Sequence, residues 1–174
     1  MLCISCKQEK VQQTTIVPTQ SIEKQNCFNT AKAWDALNQK HFNMAIAMAD
    51  LCIEEFHIQA ETMEKLLHVT NEPRPPAEDI PEKDQAKYFA RGPLNDVATC
   101  YFIRGEAYVA LWRQAERSDK KGALLANAKR AYQEAASLTF ALTWDPKGWF
   151  WYPSDMAKQR LADTQLFPPS SNKR

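Results

Sequence analysis

The chain has 174 residues, of which 44% are apolar, enough for one domain with a real core and too apolar for a disordered chain. Lys and Arg number 22 against 21 Asp and Glu, so a net charge of +1 exerts no global pull toward nucleic acid or an anionic membrane. Glycine occurs only 4 times and alanine is common, which favours helices over turn-rich β structure.

The N-terminal "MLCISCKQEK" supports two expectations. Ile4-Ser5-Cys6 followed by Lys7 resembles the end of a bacterial lipoprotein signal, with Cys6 as the lipidated residue. The apolar run before it is missing, and Cys3 is an odd residue for the first position of such a signal. As written the chain therefore reads as cytoplasmic. The alternative is a membrane-anchored lipoprotein whose start has been truncated. Residues 1–24 read as a flexible segment in either case, and a tether in the second. The 5 cysteines are odd in number and sparse, so they form no disulfide framework. Cys52 and Cys100 fall in apolar helical patterns, where a thiol behaves as a small hydrophobe.

Prolines are absent between Thr19 and Glu72 and between Leu94 and Asp145, and long helices fit those two windows. The first window opens with Phe28, Ala33, Trp34 and Leu37 and splits near "QKHFN". Ala45, Ala49, Cys52, Phe56, Ala60, Met63 and Leu67 then recur at spacings of three and four. Met44, Met48 and Leu51 make a second stripe, which predicts that the first half of this helix is buried between neighbours. "NEPRPPAEDIPEKD" reads as a solvated Pro-rich loop over 71–82, leading to a short helix at Lys83 to Phe89. In the second window Val97, Tyr101, Gly105, Tyr108, Trp112 and Ala115 form one stripe and Ala98, Phe102 and Val109 another. After a break at "RSDKKG", the period continues through Leu124, Ala128, Ala131, Ala135, Leu138 and Leu142. "WDPKGWFWYP" reads as an aromatic turn, either a core plug or an exposed recognition patch, with the plug favoured. Ser154 or Asp155 is a candidate N-cap for a closing helix with Met156, Leu161 and Ala162. Residues 167–174 read as a disordered tail. The expected fold is all-α: about two antiparallel hairpins and a C-terminal capping helix in one domain over 25–166.

"YFIRGEAY" sets Gly105 inside a helix, where glycine costs about 1 kcal/mol relative to alanine. Downstream, Ala128, Tyr132 and Ala135 follow at spacings of four and three. Ala45, Ala49 and Cys52 repeat that spacing in the first window. The chain in this respect resembles the tetratricopeptide repeat, a helix-turn-helix unit of about 34 residues that stacks into a solenoid. Tyr101, Gly105 and Tyr108 match its first helix, with Arg104 in place of the usual Leu. The turn of the second unit is too long for the family, which suggests helices lengthened around Lys120 to Gly122. In the first unit Ala36 stands where Tyr is usual. The resemblance implies that a second helix passes close at Gly105. A generic helical bundle with alanine-rich seams is the alternative.

Motifs for chemistry are sparse. Glu54-x-x-His57 matches half of a di-iron carboxylate site, but neither His41 nor His68 supplies the second half. Glu64 and His68 read as a weak surface pair. Cys3-x-x-Cys6 has no second pair for zinc. The sequence contains neither a phosphate-binding glycine loop nor a Gly-x-Ser-x-Gly elbow, and it calls for no cofactor. Arg113, Arg117, Lys120, Lys121, Lys129 and Arg130 read as a solvated helix end, with an acidic-partner patch as the alternative.

The family resemblance implies a non-catalytic module that holds a peptide or partner surface in a concave groove. Matching positions place Thr30, Trp34, Leu37 and Asn38, then Phe102, Glu106 and Val109, along that groove. Trp34 reads equally well as core. Family members that bind chaperone C-termini clamp a carboxylate with lysine and asparagine. Thr30 and Trp34, and then Phe102 and Glu106, stand at those positions here, so an apolar or aromatic ligand segment fits better. The expected partner is another protein or peptide, not nucleic acid, and a membrane only if Cys6 is lipidated. The alternatives are an envelope-tethered assembly accessory and a small helical-bundle enzyme or ligand binder.

Overall fold

The computed structural model describes residues 19–76, 80–116, 118–145 and 149–167. The lipidation expectation at Cys6 lies outside the described residues. Helices α1 (Thr19–Asn38) and α2 (Phe42–Val69) form one hairpin, and α4 (Gly92–Gln114) and α5 (Ser118–Ser137) a second. A short α3 (Glu82–Phe89) precedes α4. Strands β1 (Thr143–Asp145) and β2 (Trp149–Trp151) pair antiparallel, and α6 (Pro153–Ala162) closes the chain against α5 and α4. The fold is all-α apart from this two-stranded ribbon. Among the described residues no helix is long and apolar enough to cross a membrane.

Both helices of the first hairpin end in left-handed residues, Lys40 (φ 62) and Asn71 (φ 52). His41 N–H donates to the Ala36 carbonyl at 2.8 Å, and Glu72 N–H to that of Leu67 at 3.0 Å. These bonds satisfy the last carbonyls of each helix and turn the chain sharply. Helix α1 begins at Thr19, ahead of the boundary expected at residue 25.

Helix α4 is the central element. It packs on α2, α5, α1 and α6, and Leu94, Val97, Ala98, Cys100, Ile103 and Ala107 are all buried along it. The expected stripe of α2 is buried from Ala45 to Ala60. Its second stripe is not: Met44 and Leu51 are exposed and Met48 is half-buried, because α1 and α4 both pack on the same side of α2. Arg104, where the repeat family has Leu, reaches from α4 to Asp50 of α2 at 2.9 Å.

At Gly105 the close neighbour is a ring, not a backbone. An ideal Cβ there would lie 2.4 Å from Cε1 of Tyr132 on α5. Helix α4 ends at Gln114 and α5 begins at Ser118, earlier than expected, so Lys120 to Gly122 lie within α5. Helix α5 ends at Ser137, so Leu142 packs from a loop, beside Ile80, Tyr88 and Tyr152.

That loop is held by buried polar groups. The Glu64 carboxylate, only 6% exposed, accepts from Thr139 N–H and Thr139 Oγ1, each at 2.7 Å, and from Phe140 N–H at 3.1 Å. The expected i,i+4 pair forms, with exposed His68 as a fourth, peripheral partner of Glu64 at 3.2 Å, but its Glu64 half is a buried anchor. Asn95 accepts from Leu142 N–H at 3.0 Å and donates to the Tyr88 carbonyl at 2.9 Å. Thr99 bonds the Thr143 hydroxyl at 2.8 Å. Three side chains of α2 and α4 therefore fix the segment from which β1 departs.

The Pro-rich loop is also less solvated than expected. Pro75 and Ile80 are buried, and Tyr152 donates its hydroxyl to the Pro75 carbonyl. Arg74 bonds the Thr139 carbonyl at 3.1 Å and Ser154 Oγ at 3.3 Å, and pairs with Asp155 at 2.8 Å. The expected caps of α6, Ser154 and Asp155, thus receive Arg74, while the residue at the cap position is Tyr152, with Pro153 opening the helix. Phe167, assigned by sequence to the tail, packs against Tyr132 at 6.3 Å between ring centroids.

Candidate functional site

The short ribbon explains what the aromatic segment does. Alternate residues of a strand face opposite sides. Phe150 turns to one side, edge-on to Trp144 at 4.7 Å and tilted against Phe89 at 5.8 Å between ring centroids. Trp149 and Trp151 turn to the other. There they meet Trp34 of α1, Phe102 of α4 and Met156 of α6 around an open cleft of about 230 Å³. Phe150 is thus half-buried against the small cluster of Ile80, Tyr88, Leu142 and Tyr152, with Trp144 and Phe89 exposed beside it, while Trp149 and Trp151 face the cleft.

The aromatic contacts define the cleft's geometry. Trp151 lies edge-on to Trp34 at 6.0 Å and to Phe102 at 5.5 Å, and Trp34 is 6.5 Å from Phe102. Phe102 is the buried floor, Trp34, Trp151 and Met156 are half-buried walls, and Trp149 is 50% exposed at the rim. Edge-on pairs at these distances are favourable, so the walls and floor of the cleft pack on one another.

Beside the floor, one turn along α4, lies a charged cluster. Arg160 pairs with Glu106 through Nε at 2.6 Å and Nη2 at 3.0 Å, and Tyr132 donates its hydroxyl to Glu106 Oε1 at 2.7 Å. Burial, and then the Glu106 carboxylate, push the Tyr132 phenol well above its ordinary value. A raised folded-state pKa means that this phenol contributes stability below the unfolded value of about 10 and loses it as pH rises further. Denaturant melts should therefore show stability falling above about pH 10, with a shallower alkaline limb in Tyr132→Phe. Equal limbs in the two proteins would exclude Tyr132 as a source.

Of the residues predicted to line a groove, Trp34 and Phe102 meet at the cleft. Thr30 does not. It is 7% exposed, with Oγ1 at 3.4 Å from Cys100 Sγ and 3.7 Å from Cys52 Sγ, because its face of α1 packs inward. Burial pushes the Cys100 thiol up, so that sulfur stays protonated within the core. Val109, 3% exposed, is core between α4 and α5. Leu37 packs on the main core, and Asn38 is exposed at the end of α1. Glu106 is engaged by Arg160 and Tyr132. Trp149, Trp151 and Met156 were not assigned to the groove from sequence. The aromatic density of "WDPKGWFWYP" marks Trp149 and Trp151 as patch candidates, but nothing local in the sequence joins them or Met156 to Trp34 and Phe102. Among the described residues no cluster of His, Cys, Asp and Glu is arranged to hold a metal ion.

No family model, curated protein or solved structure gives a significant match to this chain.

Proposed function

We propose that this chain is a binding module that takes an apolar or aromatic side chain of a protein or peptide partner into the cleft between Trp34, Phe102, Trp149, Trp151 and Met156. The observation that carries the reading is a preformed aromatic cavity open to solvent, walled by residues from three helices and a strand. Apolar concavities of this kind bury an anchor residue, and aromatic walls supply most of the binding energy. The volume of about 230 Å³ suits one large side chain rather than a cofactor. The reading is non-catalytic: Glu106, one turn along α4 from the floor residue Phe102, is engaged by Arg160 and Tyr132. The repeat resemblance is consistent with it, since α4 packs against both helices of the preceding hairpin, as stacked repeats require.

The test is selection of a displayed random peptide library on the full chain, followed by titration of the enriched peptides. Peptides with a shared aromatic or large aliphatic anchor are expected. Trp149→Ala removes a rim residue with little loss of folding stability, and should weaken binding about thirtyfold, equivalent to about 2 kcal/mol. Peptides that bind this variant and Trp34→Phe as tightly as the parent would place recognition elsewhere.

A further inference from the structure

The outer face of α2 carries more apolar surface than a monomer needs. Leu51 is 48% exposed, Ile58 63%, Leu66 59% and Val69 79%, all on the side away from α1 and α4. Scattered exposed apolar residues are ordinary, but a stripe along one helix marks an interaction surface. The stripe also has a register. Leu51, Glu55, Ile58, Thr62, Lys65 and Val69 follow one another at alternating spacings of four and three, the spacing that places them along one line facing a second helix. The remaining question is what covers it, and the charges answer that.

We infer that this face pairs with the same face of a second copy of the chain, the two α2 helices running antiparallel about a two-fold axis level with Ala60. In an isologous contact each residue meets its symmetry mate's counterpart. Centred at Ala60, the seam sets Leu51 opposite Val69, Ile58 opposite Thr62, and Glu55 opposite Lys65, each pair occurring twice. The two seam charges are of opposite sign and stand equally far from the axis, so one register satisfies both. A parallel pairing would set Glu55 against Glu55 and Lys65 against Lys65, which is repulsive. Lys65 pairs with Glu61 at 3.3 Å, an exposed pair of the kind worth little, and it is readily redirected. The overlapping stretch, Leu51 to Val69, is about 28 Å long. Its seam is only partly apolar, so the dimer is expected to be concentration-dependent rather than obligate. The cleft between Trp34 and Trp151 takes no part in this contact, so each copy keeps its cleft.

Sedimentation velocity or light scattering on the full chain, from about 1 to several hundred μM, should show a monomer-to-dimer transition. Ile58→Glu should abolish it with helical circular dichroism unchanged, since the side chain is exposed. Glu55→Lys and Lys65→Glu should each shift the midpoint at least tenfold upward, and the double variant Glu55→Lys/Lys65→Glu should restore it. Rescue by the double swap is specific to two chains: within one helix these residues are about 15 Å apart and cannot touch. A zero-length carbodiimide cross-link between Glu55 and Lys65 is expected in the dimer band alone. A monomer at all concentrations, a dimer that survives Ile58→Glu, or a double swap that behaves no better than either single change would overturn the assignment.

Discussion

Gly105→Leu should prevent the second hairpin from closing, lowering folding stability by about 3 kcal/mol or more. The reason is the Tyr132 ring. A Cβ at position 105 would lie 2.4 Å from Cε1, 2.7 Å from Cδ1 and 2.9 Å from Cζ, well inside contact distance. The ring cannot move aside cheaply. It is fully buried, it lies 6.0 Å from Phe102 and 6.3 Å from Phe167, and its hydroxyl is bound to Glu106. Even Gly105→Ala, which gains about 1 kcal/mol of helix propensity, should be net destabilising. The control is a smaller partner. In a Tyr132→Leu background Gly105→Ala should become neutral or stabilising, a coupling that a double-mutant cycle measures. Denaturant midpoints unchanged by Gly105→Ala in the parent chain would mean that the ring yields freely. The helix that the repeat resemblance placed close to Gly105 is α5, and what it presents there is the Tyr132 ring.

Glu64→Ala should cost a comparable amount, about 3 kcal/mol or more, by a different route. It strips the acceptor from two backbone N–H groups and a hydroxyl at Thr139 and Phe140. Buried donors left unpaired are penalised by about 1–3 kcal/mol each, more than the bonds themselves contribute. Glu64→Gln keeps one oxygen and should lose less, about 1–2 kcal/mol. The expected signature is local as well as global. Amide exchange at Thr139 and Phe140 should accelerate under conditions where α2 and α4 remain protected. The turn they belong to leads into β1, so tryptophan fluorescence from the cleft should shift below the main melt. Unchanged protection of those two amides in Glu64→Ala would show that other bonds hold the turn.

How much of this was legible in the residues follows from which interactions are local. Helix windows bounded by proline, the alanine and cysteine stripe of α2, the short α3 and the closing α6 all come from periodicity and backbone rules acting over a few residues. Those are written in the chain itself. The repeat spacing likewise drew attention to Gly105, but not to what fills the space beside it. Glu64 illustrates the limit. Its sequence neighbours suggested a surface pair with His68, because the Thr139 and Phe140 donors are more than seventy residues away. Thr30 and Val109 are core rather than groove for the same reason: a helical position has a face, but only packing decides whether a neighbour covers it. Trp34 and Phe102 both fall on first helices of the two hairpins, at positions the repeat pattern does not match to each other, and the tertiary structure brings their rings within 6.5 Å. The remaining walls came from β2, a strand of three residues, too short for its alternation to outweigh the turn signals on either side. The sequence by itself therefore determined that this is a helical domain with two hairpins. The tertiary structure decided where the aromatic segment divides, because sidedness in a strand acquires meaning only once Glu64, Asn95 and Thr99 have fixed the loop that presents it.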